Sequence, residues 1–466
     1  MPRAGWVKPR DDQRLSDHVA LGVLTRTFSP GLVDEILAET GRVERRSRLL
    51  PARLVTYYVC GLALFAQSSY EEVMRNLIEG LSWESGWAKT WTMPSKSAIF
   101  QARARLGVEP LEALFARGCV PLATPDTPGA FYRGWRLVAI DGTTLDVADT
   151  PANDEAFGRA RVSRGHAAFP QMRLVGLAEL GTRAIFGAAV GPYTDSEQAL
   201  THTLLGRLGP GMLCLADRGF AGFPLFSAAQ ATGADLVWRA KNNAVLPVLE
   251  TFDDGSFRSE IVATPDKRTR TNVMSVRVVE YTLDDPGRKD TGERYRLITT
   301  ILDPAAAPAD ELAELYAERW EIETALDELK THQRGPRVVL RSKTPDGAIQ
   351  ELYGHLCTHY AIRALMSSAA DHQQTDPDRI SFTRSLRAAR RSARAGIGTT
   401  TRNLATALLH AITEIVHELL PARRLRTAPR VVKRKLSNYN VKHPQHRHWP
   451  QPTLTPAHAI HVLAPP

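Results

Sequence analysis

The sequence predicts a mixed α/β layer framed by helical segments, and three observations lead there. Apolar residues recur at helical spacing through residues 16 to 120 and again beyond 345. Between them, short apolar runs (Arg136–Asp141, Met212–Asp217, Asp235–Lys241) alternate with helical stretches, and two of these runs end in an aspartate. The order strand, hairpin, helix, strand, helix, strand belongs to a mixed α/β architecture.

The first helices are marked by Leu21, Val23, Leu24 and Phe28, then by Leu32, Val33, Ile36 and Leu37, with Ser16 and Asp17 as available caps. Further helices are expected over Leu54–Gln67 and Tyr70–Leu81. The segment Ala98–Gly107 follows a serine-rich cap and carries Gln101, Arg103 and Arg105, so it is similar to the recognition helix of a helix-turn-helix. Residues 122–130 read as a Pro/Gly linker. Met172–Leu180 and Arg183–Val190, separated by Gly181-Thr182, read as a hairpin. Asp195–Leu208 and Phe223–Ala231 read as helices. From Asn243 to about Gly292 the texture turns β-rich and polar, as in Val273–Val279, and suggests an insertion. The strand Arg296–Leu302 precedes a long helix from Pro308 to His332. Helices Ile349–Met366 and Leu404–Leu420 flank a basic stretch with Arg384, Arg387, Arg390, Arg391 and Arg394. The expected domains are a helical one over 1–121, a core over 131–242 and 294–345, the β-rich insertion over 243–293, and a helical basic region over 346–466.

Composition narrows the function. The chain has 466 residues, 43 % of them hydrophobic, and a net charge of +9, which points to a polyanionic partner. Four scattered cysteines (Cys60, Cys119, Cys214, Cys357) form no CxxC pair, so neither a disulfide framework nor a zinc ribbon is legible and a reduced cytoplasmic setting is expected. The N-terminal stretch lacks an apolar signal core. Leu54–Ala66 is shorter than the roughly 20 residues a membrane span needs. No GxSxG elbow supports a serine hydrolase. Residues 421–450 carry nine Lys and Arg and no acid (Arg423 through Arg447), the composition of a phosphate-tracking arm whose binding falls steeply with salt.

Asp141 and Asp217 close apolar strand-like runs and have glycine nearby (Asp141-Gly142; Asp217-Arg218-Gly219). Carboxylates gathered at the rim of a sheet repel one another unless a divalent cation intervenes. A third acid comes from the helix 308–332. At 100° per residue, Tyr316, Arg319, Glu323 and Lys330 fall within about 60° of one another, while Leu315, Ile322, Leu326 and Leu329 form the adjoining packing face. Asp327 shares the stripe and competes with Glu323, whereas Glu321 and Glu328 point elsewhere. The same pattern also suits plain salt bridging.

Tyr316-x2-Arg319-x3-Glu323-x6-Lys330 matches the YREK signature of the insertion sequence 4 family of DDE transposases gap for gap. Ile140-Asp141-Gly142-Thr143 resembles that family's first aspartate motif, and Ala216-Asp217-Arg218-Gly219-Phe220 its second. The resemblance implies a ribonuclease-H-like catalytic core, an α-helical N-terminal DNA-binding domain and a β-rich insertion ahead of the last acid. It implies cut-and-paste transposition, with Asp141, Asp217 and Glu323 as catalytic residues and ligands of two Mg2+ ions (Mn2+ as a substitute). Tyr316, Arg319 and Lys330 would contact DNA phosphates, Glu323 is preferred to Asp327 because it holds the motif position, and a homodimer on paired DNA ends is expected. Some relatives hold a flipped base of a hairpin intermediate on an aromatic residue; the strand Arg296–Leu302 offers no tryptophan for it.

Arg239 and Lys241, at the end of a strand, are further candidates for phosphate contact. Asp146 and Asp149 lie past an expected Gly-Thr-Thr turn (142–144) and read as solvated loop acids, His166 and His202 as surface or packing residues, and Trp83, Trp87 and Trp91 as a helix-packing stripe. Two other readings stay open: an inactive or domesticated DNA-binding relative, and a basic structural DNA-binding protein.

Overall fold

In a computed structural model of the chain, the structure describes residues 22–44, 46, 48–82, 93–162, 165–263, 271–285, 293–335, 339–395, 401–421, 431–432, 440–444 and 454–466. Trp83, Trp87, Trp91 and most of the basic tail lie outside these residues. After the helices Pro30–Glu39, Ala52–Leu64 and Tyr70–Ser82 come α1 (Lys96–Leu106), β1 (Trp135–Asp146), the hairpin β2 (Gln171–Glu179) and β3 (Ile185–Pro192), and α2 (Glu197–Leu204). Then follow β4 (Met212–Ala216), α3 (Phe223–Gln230), β5 (Asp235–Arg239), β6 (Phe257–Val262), β7 (Val273–Leu283) and β8 (Tyr295–Thr299). The chain continues through α4 (Ala309–Ala317), α5 (Trp320–Asp327), a π-helical turn (Glu328–Gln333), α6 (Pro345–Gln373), α7 (Phe382–Ala395) and α8 (Thr401–Val416). Among the described residues no helix is long and apolar enough to cross a membrane.

The chain forms two compact units. The first comprises Met1–Phe131, Asp141–Leu200 and Ile322–Pro421; the second Tyr132–Ile140, Thr201–Glu321 and Ala422–Pro466.

In the first unit, α6 is the spine. Its Thr344 N-cap accepts a hydrogen bond from Gly347 N, Pro345 occupies the first turn, and Leu352, Leu356, Ala361, Ile362 and Leu365 are buried. The hairpin β2–β3 pairs Leu174 with Val190 and Val175 with Ala189. Its turn explains Gly181: the residue sits at φ +78°, and a Cβ there would come 2.7 Å from the Pro128 carbonyl oxygen and 2.8 Å from Ala130 N. Both are backbone atoms that no side-chain rotation relieves. A Gly181→Ala protein is therefore expected to lose about 2–4 kcal/mol of stability, combining left-handed backbone strain with overpacking. Urea unfolding measures it, and a change below 0.5 kcal/mol, about what a neutral surface substitution gives, would refute the clash.

The helix that resembled a recognition helix forms as read, with Ser95 Oγ accepting from Ala98 N and Gly107 ending it at φ +75°. One of its three polar residues points inward. Arg103 is buried and donates to Gln350 Oε1 (2.8 Å), Ser342 Oγ (3.1 Å) and the Gly347 carbonyl (3.0 Å). Only Gln101 and Arg105 keep the outward position expected of a DNA-reading face. Three arginines of the basic stretch on α7 are likewise engaged within the protein. Arg384 pairs with Glu418, Arg391 with Glu414, and Arg390 donates to the Leu64 carbonyl.

In the second unit, the first half of β1 runs parallel to β4 (Ile140 opposite Ala216), and β4 runs parallel to β5. Antiparallel β8 pairs with both β5 and β7, and β7 with β6. The β-rich segment thus extends the sheet that carries the apolar strands. Parallel β4 and β5 are almost wholly buried, as strands covered on both faces should be, and Trp238 meets Phe226 edge to face at 5.2 Å.

Two expectations need correction. β1 does not stop at Asp141 but continues to Asp146, so the Gly-Thr-Thr segment is strand rather than turn. Asp146 accepts from Gln171 Nε2 (2.9 Å) and Asp149 pairs with Arg159 (2.5 Å); neither is simply a solvated loop acid. The long helix from Pro308 to His332 is also broken. Bonds from Glu318 N to Leu315 O, Arg319 N to Tyr316 O and Glu321 N to Glu318 O span three residues instead of four. That tightened turn separates α4 from α5, and beyond Asp327 the chain widens into the π turn. A single 100° wheel therefore does not describe Tyr316, Arg319, Glu323 and Lys330.

Candidate active site

Four buried apolar residues lead β1 up to Asp141, where the first unit resumes; its Oδ1 accepts from Gly142 N at 2.8 Å. Side chains alternate along a strand, so Asp141 and Thr143 share one face and Gly142 takes the other. On the Asp141 face, Lys330 Nζ donates to Thr143 Oγ1 at 2.8 Å. On the opposite face the Glu197 carboxyl group lies where a Gly142 Cβ would stand, its Cδ 2.5 Å from that position. Arg173 holds Glu197 there (3.3 Å) while donating to the Tyr193 carbonyl (3.0 Å) and lying over the Tyr193 ring. The glycine after the aspartate thus serves the close approach of α2.

Glu323 lies on α5, which packs through buried Ile322 and Leu326. Leu326 faces Gly176 of β2. Its rival, Asp327, is exposed and already engaged: Oδ1 accepts from Thr331 Oγ1 (2.8 Å) and Oδ2 pairs with His332 (3.3 Å). Glu328, which the sequence directed away from the stripe, is buried. It meets Arg363, His359 Nε2 (3.2 Å) and Arg183 (3.7 Å). Burial alone would raise its carboxyl pKa, but Arg363, His359 and Arg183 overcome that and hold it at about 2. Burial in turn lowers His359 below the usual histidine range, so its ring is neutral and Nε2–H donates. Sequence reasoning missed this cluster because Arg183, Glu328, His359 and Arg363 come from three separate elements.

In the second unit, Asp217 stands directly after β4. Its Oδ1 accepts from Gly219 N at 2.7 Å and the chain turns away, anchored by buried Phe220. Tyr316, at the end of α4, donates its hydroxyl to the Ala216 carbonyl at 3.4 Å. Burial pushes the Tyr316 hydroxyl pKa up to about 12; Arg319 and Arg239 oppose the rise and Asp217 adds to it, so it remains a donor. The Arg319 guanidinium lies 5.8 Å from the Tyr316 ring centroid and 5.2 Å from that of Trp320. Tyr316, Arg319 and Asp217 are thereby brought together in this unit. Arg239 pairs with Glu293 (2.6 Å) and stacks on Tyr295 (4.2 Å), while Lys241 is exposed beyond the strand. His166 and His202 are exposed, as expected.

Among the described residues no group of three or more His, Cys, Asp and Glu side chains is arranged to hold a metal ion. Donor chemistry is where the candidate acids fit one: each is a hard carboxylate, and Asp141 and Asp217 each have one oxygen oriented by a neighbouring backbone N–H.

Residues 18–116 match the family model described as insertion element 4 transposase N-terminal, and residues 133–361 match the transposase DDE domain. The chain is 30 % identical over 430 residues to the transposase InsG for insertion sequence element IS4 of Escherichia coli K12, covering 88 % of this chain and 92 % of that one. It is 29 % identical over 194 residues to the putative transposase InsZ of the same organism, covering 41 % of this chain and 62 % of that one. A cryo-EM structure of a piggyBac transposase synaptic complex with hairpin DNA aligns over 87 % of this chain and 86 % of that one, at 11 % identity and a TM-score of 0.40. Extended YREK spacing, both aspartate motifs and near full-length similarity agree: this chain is a DNA transposase of the insertion sequence 4 family, with the divalent-metal dependence that a DDE domain carries.

Proposed function

We propose that the protein moves its element by a cut-and-paste route, with Asp141, Asp217 and Glu323 as the catalytic carboxylates and a homodimer acting on paired ends in the bacterial cytoplasm. The observation that carries this reading is the Lys330–Thr143 hydrogen bond. It ties the last residue of the YREK pattern to the Asp141 face of β1, two positions from the first aspartate. The three acids would supply the oxygens for two Mg2+ ions, which when bound favour deprotonation of water and stabilise the attacking and leaving oxygens of an in-line phosphoryl transfer.

The chain's own residues bind and orient the DNA. Arg319, with its planar fork, suits two oxygens of one phosphate, and its stacking on Tyr316 and Trp320 limits the directions it can take. Tyr316, un-ionised, offers a neutral donor beside Asp217. Lys330 would exchange Thr143 for a phosphate oxygen when DNA arrives. Arg239 already neutralises Glu293, so its contribution to phosphate binding is smaller than that of exposed Lys241.

The test is cleavage of duplex DNA bearing the element's ends, with and without Mg2+ or Mn2+, by the native protein and by two single variants. Glu323→Gln should lose about 10³-fold in cleavage rate, a loss of about 4 kcal/mol of transition-state stabilisation. Asp327→Asn should stay within about threefold, because Asp327 only meets Thr331 and His332 at the surface, where such contacts contribute under 1 kcal/mol. The reverse ranking would assign the third acid to Asp327, and metal-independent cutting would defeat the mechanism.

A further inference from the structure

The π turn is flanked by two ties that the catalytic reading leaves unused. At its start stands Glu328, five residues after Glu323 and two before Lys330, only 4 % exposed. Arg363 and His359 of α6 and Arg183 of the β2–β3 turn close on its carboxylate. Arg183 itself sits at φ +55°, an uncommon conformation for a non-glycine residue, and also pairs with Asp378 at 2.6 Å. At the far end Gln333 Nε2 donates to the His355 carbonyl of α6 at 3.0 Å. Both ends of the turn are therefore fastened to one helix. Within the turn, Lys330 reaches across to Thr143 of β1.

A stability argument does not account for this cluster. Two acids and two arginines out of water cost several kcal/mol each in lost hydration, and apolar residues of similar volume often do as well or better. What charged and directional groups add is a fixed geometry, and a π turn, which gives up the regular α-helical ladder, needs something to fix it.

We propose that Glu328 is a positioning residue: clamped by Arg363, His359 and Arg183, it sets the π turn so that Glu323 and Lys330 are held in register against β1. The proposal rests on Glu323 being the catalytic acid. Glu328 touches no reacting atom. Its effect passes through the backbone of residues 323–333 and through the Lys330–Thr143 bond.

The experiment uses the full chain with Glu328→Gln, the double variant Glu328→Met/Arg363→Met, and Glu323→Gln. The double variant removes one acid and one base together, leaving Arg183 paired with Asp378 and avoiding an orphaned charge. Thermal unfolding, DNA affinity, single-turnover cleavage and amide exchange of the metal-free protein are measured on each.

For the double variant the expected result is a melting point close to native, DNA affinity within about twofold, and a cleavage rate reduced about 10- to 100-fold. That is the range seen when residues orienting metal ligands are replaced. Amide exchange over 323–333 should quicken in the metal-free protein while the rest of α6 stays protected. Glu328→Gln should slow cleavage in the same direction, with KM for DNA unchanged. A folded double variant that cuts at the native rate overturns the proposal, as does a loss matched by the unfolded fraction alone. If Glu323→Gln also cuts at the native rate, the catalytic reading itself has failed, and the positioning role fails with it.

Discussion

Replacing Asp217 by Asn is expected to leave DNA binding within about twofold of native and to cut metal-dependent cleavage by about 10³-fold or more. The substitution is nearly isosteric, so the turn that begins at Asp217 is retained: the amide oxygen still accepts from Gly219 N, and Phe220 stays anchored in the core. In the proposed reading contacts to phosphate fall to Arg319, Tyr316, Lys330 and the exposed cations, none of which loses its support. What disappears is one negative charge in a donor set for which hard, anionic oxygens are needed. Metal assistance supplies several kcal/mol of transition-state stabilisation, and about 4 kcal/mol corresponds to about 10³-fold in rate. A gel-based cleavage assay run beside a binding titration separates the two quantities. Equal cutting by Asp217→Asn and native protein, or a parallel loss of binding, would remove Asp217 from the chemistry.

The second large effect is on stability. Arg363→Met strands the Glu328 carboxylate in an apolar interior with only His359 and the more distant Arg183 as partners. Breaking one side of a buried ion pair costs about 3–5 kcal/mol. The pH dependence follows from the sign of the shift. Glu328 in the native fold is held at about 2, below its unfolded value of 4.5, so its contribution is complete above pH 4.5 and is lost as pH falls toward 2. In the variant the carboxyl no longer has its principal cation and protonates more readily. The difference between native and Arg363→Met stability should therefore be largest near neutrality and narrow below about pH 4.5. Urea unfolding at several pH values measures it. A difference under 1 kcal/mol at pH 7, or one that does not change with pH, would show that the pair contributes little.

How much of this was legible in the sequence depended on whether the signal was local. The hairpin around Gly181, strands β4 and β5 and the packing of Ile322, Leu326 and Leu329 follow from turn residues, short apolar runs and helical spacing, and they appear where expected. The break between Tyr316 and Trp320 was not legible, because its cause is a shortened hydrogen-bond ladder and an arginine lying over two aromatic rings, neither of which alters apolar periodicity. The extent of β1 was misread because Gly-Thr-Thr carries turn chemistry, whereas the glycine is there to admit Glu197. Arg103 looked like a groove-reading residue because sequence cannot tell an outward guanidinium from one that three distant oxygens satisfy. Of the candidate site, the motif spacing supplied the three candidate acids. The Lys330–Thr143 bond and the Glu328 cluster needed coordinates, since each joins residues more than 100 positions apart in the chain or carried on separate elements.

The position of β8 between β5 and β7 also bears on how the polypeptide is made. As the ribosome delivers the chain, β4 and β5 emerge first, yet the partner for the outer side of β5 is not available until Tyr295–Thr299 leaves the exit tunnel. Until then a strand of Leu236, Val237 and Trp238 presents unsatisfied amides and carbonyls to any passing neighbour. Nascent chains stalled before Tyr295–Thr299 has emerged should consequently be an aggregation-prone and chaperone-dependent stage of biosynthesis, and emergence of that strand should relieve it.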